Sequence, residues 1–218
     1  MIWCYRPYQW SATLLAMIVD LRDYTLLPDK RAGLVERFEG LFMPEQERLG
    51  ARMLASFLDA DDPNRFIWLR AMPDMDTRER VLTEFYAEGE MWREHRTEVN
   101  SWFVDTDNVL LVRPVGELAP PATGTSTVGM YTYVGPSPLS DSSSEDLQRV
   151  IGARIAAAGG RLLATFATDP VRNNYPKHPI RVGEHGLVWF ATFETFKRLD
   201  VPSVQQRRLI PTARSRMR

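Results

Sequence analysis

Apolar and polar positions alternate from Met17 to Leu26, with Ile18, Asp20, Arg22 and Tyr24 on one side of the chain and Val19 and Leu21 on the other. That period predicts a strand. Pro28-Asp29 then opens a helix, in which Leu34, Val35, Phe38, Leu41 and Phe42 recur at helical spacing. Pro44 lacks a backbone donor, so it must bend or restart that helix, and Gly50 is placed as its C-cap. Arg52 to Leu58 and Arg65 to Met72 read as a hairpin around the polar run Asp59-Ala60-Asp61-Asp62-Pro63-Asn64. Asp76 is the expected cap of a second helix, broken near Gly89 and running to about Phe103, and Asn108 to Arg113 is a fourth strand.

After a Pro- and Gly-containing linker over residues 115–127, the same order recurs. Gly129 to Val134 is a strand. Ser142-Ser143-Ser144-Glu145 offers caps for a helix that reaches Ala158 and ends at Gly159-Gly160. Strands follow at Arg161–Ala167 and Leu187–Phe193, then a short polar helical piece from Glu194, and Val204 to Thr212 closes the unit. Residues repeat along with the order. Arg52-Met53-Leu54-Ala55-Ser56-Phe57 matches Arg161-Leu162-Leu163-Ala164-Thr165-Phe166, and Phe66-Ile67-Trp68-Leu69 matches Leu187-Val188-Trp189-Phe190.

These patterns predict an α+β chain of two tandem ferredoxin-like βαββαβ repeats, residues 17–114 and 128–218, forming a dimeric-α/β-barrel-type fold. Residues 1–16 read as a disordered or loosely docked N-terminal extension. Each unit leaves one sheet face bare of helices, and two units in one chain can bury those faces against each other. Val19 and Leu21 suit the helix layer, so Asp20, Arg22 and Tyr24 are expected on the inner face of the barrel. Trp68 and Arg70 share a face of their strand, and three charged residues and two aromatics converging there imply either a polar pocket or a structural Asp20–Arg22 or Asp20–Arg70 ion pair that fixes strand pairing.

Four segments together resemble the NIPSNAP family: Val19-Asp20-Leu21-Arg22-Asp23-Tyr24-Thr25-Leu26, Phe66-Ile67-Trp68-Leu69-Arg70, Trp92-Arg93-Glu94-His95-Arg96 and Asp107-Asn108-Val109-Leu110-Leu111-Val112-Arg113-Pro114. In the second half, Asn173-Asn174-Tyr175-Pro176 and Leu209-Ile210-Pro211-Thr212-Ala213-Arg214-Ser215 are similar to bacterial members. The resemblance implies the dimeric α/β-barrel superfamily. That superfamily includes haem-degrading and cofactor-free monooxygenases, isomerases and lactone-forming enzymes, so it implies a fold far more narrowly than a reaction.

A formal net charge of −1 supplies no general field for nucleic acid or anionic lipid, and neither partner is expected. Only Arg214, Arg216 and Arg218 form a basic run, read as a solvated terminus. The single Cys4 excludes an intramolecular disulfide, which favours a reducing, cytoplasmic setting. No segment has the length of a membrane span. Exposed strand edges and a large barrel surface predict a homodimer.

Cys4, His95, His178 and His185 have no metal-ligand spacing, so no metal is expected. His95 lies on a helical stripe with Trp92 and Val99. A haem held by that histidine is the alternative to no cofactor at all. No G-x-S-x-G elbow, phosphate loop or dinucleotide fingerprint occurs. The segment Asp169 to Gly186 is about three times longer than the matching turn of the first half, and it carries Asn173, Asn174, Tyr175 and His178. A long loop of that composition over a barrel mouth suits an anionic ligand. The expectation is a small-molecule enzyme of the cofactor-independent barrel type, monooxygenase- or isomerase-like, acting on an acidic or phenolic organic substrate. Arg22, Trp68, Arg70, Asn173, Asn174, Tyr175 and His178 would bind it, and Asp20, Tyr24 or His95 would move a proton. The alternative is a non-catalytic small-molecule-binding or protein-interaction scaffold.

Overall fold

The computed structural model describes residues 17–119 and 127–218, so the N-terminal extension and Cys4 lie outside the described residues. The first half runs β1 (Ile18–Leu26), α1 (Arg31–Arg37), α2 (Met43–Arg48), β2 (Arg52–Asp59), β3 (Arg65–Met72), α3 (Met75–Leu82), α4 (Glu90–Asn100), β4 (Phe103–Asp105) and β5 (Val109–Pro114). The second runs β6 (Thr127–Gly135), α5 (Asp141–Ala157), β7 (Arg161–Thr168), β8 (His185–Phe193) and β9 (Gln205–Pro211). π-helical turns at Phe38–Phe42 and Thr83–Glu88 join α1 to α2 and α3 to α4.

All strand pairs are antiparallel. The order β2-β3-β1-β5 in the first half recurs as β7-β8-β6-β9 in the second, matching the hairpins first and the outer strand last. Two seams close the halves into one eight-stranded barrel: β2 on β9, where Leu58 faces Ile210, and β5 on β7, where Arg113 faces Ala167. Closure inside the chain removes the long open edges on which a homodimer was expected. Short β4, against the end of β1, is the only strand outside the ring among the described residues.

The barrel interior is apolar and filled. Val19, Leu21, Ile67 and Leu69 meet Val128, Met130, Val188 and Phe190, and the Phe190 ring stacks on Phe57 at 5.7 Å. The expected assignment of faces is therefore inverted. Val19 and Leu21 point into the barrel, while Asp20, Arg22, Tyr24, Trp68 and Arg70 point toward the helices. The polar pocket cannot lie inside the barrel, because small closed barrels fill with side chains and here those side chains are hydrocarbon.

Local chemistry accounts for the smaller departures. Asp74, not Asp76, caps α3, accepting from the Thr77 amide at 2.7 Å. Pro44 sits in the first turn of α2, where its missing donor costs nothing. Gly50 takes φ +106° at the helix end, which favours glycine. The expected helix from Glu194 is absent, and the segment up to β9 is irregular, with Ser203 in the left-handed region at φ 62°. Phe196, Leu199, Val201 and Val204 still cover the second sheet beside α5. The basic terminus is docked rather than solvated: Arg214 bonds the Glu39 carbonyl, Arg216 pairs with Glu47 at 2.8 Å, and Met217 is buried against the barrel core. No helix among the described residues is long and apolar enough to cross a membrane.

Candidate functional site

On the helix-facing side of the first sheet, β1 and β3 place Asp20 opposite Arg70 and Arg22 opposite Trp68. Arg78 descends onto them from α3. All three arginines and Asp20 are fully buried. Asp20 Oδ2 accepts from Arg70 and, at 3.3 Å, from Arg22, while Oδ1 accepts from Arg78 Nε at 2.8 Å. One carboxylate thus serves three guanidiniums, and the cluster holds two more positive than negative charges. Burial pushes the Asp20 carboxyl up, but Arg70, Arg22 and Arg78 outweigh it and hold it well below the ordinary carboxylate range. Asp20 is therefore permanently ionised and fully engaged, which unsuits it to the proton transfer expected of it. Arg22 Nε, Arg70 Nε and Arg78 Nη2 are buried with no acceptor among the described residues.

In front of this cluster lies a cavity of about 80 Å³, lined by Tyr24, Phe38, Phe42, Gln46, Trp68, Phe85, Tyr86, Trp92, Phe103 and His178, among others. Both π-helical turns contribute to its wall, through Phe38 and Phe42 and through Phe85 and Tyr86, and such turns often mark functional positions. The cavity shares Tyr86, Trp92, Asn100, Phe103, Thr106 and His178 with an outer cleft of about 750 Å³, to which Arg96, Tyr175 and Lys177 also belong. Two side chains connect cluster and cavity. Arg22 Nη1 donates to the Tyr24 hydroxyl at 2.7 Å, and Arg70 Nη1 donates to Gln46 Oε1. Burial pushes the Tyr24 phenol up to about 12, against the pull of Arg22.

The long loop after β7 belongs to the second half but closes this site in the first. Asn173 and Asn174 accept from Arg78 Nη1 at 3.0 and 2.9 Å, and Asn174 also donates to the Met75 carbonyl. It covers the helix side of the sheet, not a barrel mouth. His178, half-buried, packs between Tyr86 (4.0 Å) and Tyr175 (5.4 Å). Burial, then Arg22 and Arg70, push its pKa down to about 2, so the ring is neutral near pH 7 and can accept a hydrogen bond.

Of the residues singled out from the sequence, the structure brings together Asp20, Arg22, Tyr24, Trp68, Arg70, Asn173, Asn174, Tyr175 and His178. It sets His95 apart: that ring meets Arg37 Nη1 at 3.3 Å and does not line the cavity. Arg78 and Gln46 were missed. Their signal was a polar residue on an apolar stripe, Arg78 with Val81, Leu82 and Phe85, and Gln46 with Phe42 and Leu49. Among the described residues no three His, Cys, Asp or Glu side chains gather as a metal would need.

The second half supplies an internal control. Its β6–β8 register puts Gly129, Tyr131, Trp189 and Ala191 where the first half has Asp20, Arg22, Trp68 and Arg70. A Cβ on Gly129 would lie 2.6 Å from the Tyr131 hydroxyl, so that ring occupies the Asp20 place. The same sheet face packs its covering layer there without one buried ion.

A closed antiparallel barrel with one helix layer per half defines an α/β-barrel protein of the ferredoxin-like kind. Residues 19–117, most of the first half of the chain, match the NIPSNAP family model. No curated protein matches the sequence. Among solved structures, a candidate monooxygenase from Lactobacillus acidophilus aligns with a TM-score of 0.56 at 11% identity, over 90% of this chain and 94% of that one. A candidate monooxygenase from Fusobacterium nucleatum gives 0.55 at 9%, over 90% and 92%. An anthrone oxidase-like protein gives 0.55 at 8%, over 90% and 92%. At such identities the likeness concerns the fold alone.

Proposed function

We propose that the chain is a small-molecule enzyme acting without a cofactor on an acidic or phenolic aromatic compound, held in the cavity between the first sheet and its helices. The observation that carries this reading is the three-arginine, one-carboxylate cluster behind an aromatic cavity. Uncompensated buried charge is costly, and the second half folds the same face with none. Such a cluster earns its place by stabilising an anion that is not part of the chain. The aromatic wall takes the ring of the ligand, the cluster favours its ionised form, and neutral His178 at the junction with the outer cleft accepts a hydrogen bond from the proton as it passes to solvent. The resulting phenolate or enolate is the species from which isomerisation or attack on molecular oxygen proceeds.

The test is proton exchange. Enolisable aryl ketones and hydroxyquinones are incubated with the protein in heavy water, with deuterium uptake followed by NMR and oxygen by electrode. Exchange is expected with the native protein and its loss in His178→Gln, with binding retained. Tight binding with neither exchange nor oxygen uptake would instead establish a non-catalytic binding scaffold, and no binding at all would discard the site.

A further inference from the structure

We infer that Tyr24 and Gln46 form an oxyanion-holding pair at the inner end of the cavity, so that the bound molecule presents a phenolate, enolate or carbonyl oxygen there in preference to a hydroxyl donor. This deepens the cavity reading above and rests on it. The argument is one of hydrogen-bond inventory. A guanidinium can only donate, so each arginine that touches a cavity residue consumes an acceptor and leaves a donor. Arg22 donates to the Tyr24 hydroxyl oxygen, and no acceptor among the described residues takes the Tyr24 proton. Arg70 takes Gln46 Oε1, which fixes the amide orientation and turns its NH2 group to other partners, none of them among the described residues. Trp68, which lines the same cavity, has a buried indole N–H with no acceptor among the described residues.

Tyr24 and Gln46 thus keep hydrogens to offer in one small cavity, while the oxygen of each already receives an arginine hydrogen bond. Phe38, Phe42, Phe66, Phe85 and Val99 complete the wall around them, and the acceptors that also line the cavity, His178, Asn100, Thr106 and Tyr86, belong to the side shared with the outer cleft. Arg22 and Arg70 are positioning residues in this arrangement: they polarise Tyr24 and Gln46 rather than touch the ligand. The second half lacks this device because Tyr131, at the place of Arg22, donates to the Lys197 carbonyl at 3.3 Å and leaves nothing free.

4-Nitrophenol is a suitable probe, because its ionised form is coloured and its two protonation states can be titrated separately. Native protein should bind the phenolate in preference to the phenol, seen as a lowered apparent pKa of the bound probe. Tyr24→Phe and Gln46→Met should each weaken phenolate binding about tenfold, the scale of one hydrogen bond to a charge, while changing phenol binding less than about threefold. Arg22→Lys should cost about tenfold alone but less than about twofold in the Tyr24→Phe background, since the path through Tyr24 is then gone. Circular-dichroism melts confirm that each variant is folded. Undiminished phenolate preference in both Tyr24→Phe and Gln46→Met, with native binding intact, overturns the pair and leaves the cavity reading standing. Absence of any 4-nitrophenol binding by the native protein overturns both.

Discussion

Replacing Asp20 by Asn and, separately, Arg70 by Ala distinguishes a shared carboxylate from a simple ion pair. Were Asp20 and Arg70 an isolated buried pair, removing either partner would strand the other, at about 3–5 kcal/mol each. The geometry predicts asymmetry instead. Asp20→Asn leaves Arg22, Arg70 and Arg78 buried with no anion, and its new amide must face a guanidinium, so the full 3–5 kcal/mol or so applies. Arg70→Ala leaves Asp20 still paired with Arg22 and Arg78 and relieves like-charge repulsion. Its cost should stay near the roughly 1.5–3 kcal/mol of a charged hydrogen bond, or below. In a chain of this size each kcal/mol moves the melting temperature about 2–4 °C, so calorimetry should resolve the gap. Folding holds the Asp20 carboxyl below its ordinary pKa of 3.8, so its contribution is complete above that pH and drains away below it. The difference between native protein and Asp20→Asn should therefore narrow as acid is added below about pH 4. Arg70→Ala proving as costly as Asp20→Asn would refute the shared-carboxylate account.

Two further outcomes follow from other parts of the molecule. Folding pushes His178 from 6.5 down to about 2, so the unfolded chain binds the extra proton; its stability is complete above about pH 6.5 and falls on acidification, by at most about 1.4 kcal/mol per pH unit. Urea melts of His178→Gln should show a flatter slope between about pH 4 and 6.5, and an unchanged slope would show the ring already protonated when folded. Phe190→Ala, in the filled barrel, should destabilise by about 3–5 kcal/mol while leaving 4-nitrophenol affinity within about twofold; a collapse of binding in a folded variant would place the ligand on the barrel side after all.

Much of the architecture was legible in the sequence for a local reason. Period-2 and helical spacings, turn residues and the internal matches at Arg52–Phe57 and Phe66–Leu69 report short-range geometry, and the strands and hairpins follow it. The orientation of the faces was not legible. Both faces of each sheet are buried, one by the barrel and one by helices, so alternation at Val19-Asp20-Leu21-Arg22 separates two sides without saying which lies inward. The composition of the candidate site was mostly readable, since charged and amide residues stood out at Asp20, Arg22, Arg70 and Asn173-Asn174. Its assembly was not, because the contact of Arg78 with residues 95 and 96 positions later in the chain leaves no trace in periodicity. His95 was overvalued for the converse reason: a histidine on an aromatic stripe is equally served by a neighbour such as Arg37.

The two halves divide their labour, and the division matches where their residues agree and where they differ. Barrel-facing positions stay apolar in both, Val19 and Leu21 matching Val128 and Met130, because each half needs the other's hydrocarbon to close the core. Helix-facing positions have no such mutual constraint. The second half fills them with Gly129, Tyr131 and Ala191 and covers them with α5 and the segment up to Val204, which suffices for packing. The first half has Asp20, Arg22 and Arg70 there, under four α-helices and two π-helical turns whose Phe38, Phe42, Phe85 and Tyr86 line the cavity. Without a polar face of its own, the second half reaches across with the loop after β7 and supplies Asn173, Asn174, Tyr175 and His178 to the first. Fusion in one chain permits this, since a loop can specialise toward one partner only when the two units are no longer copies of one sequence.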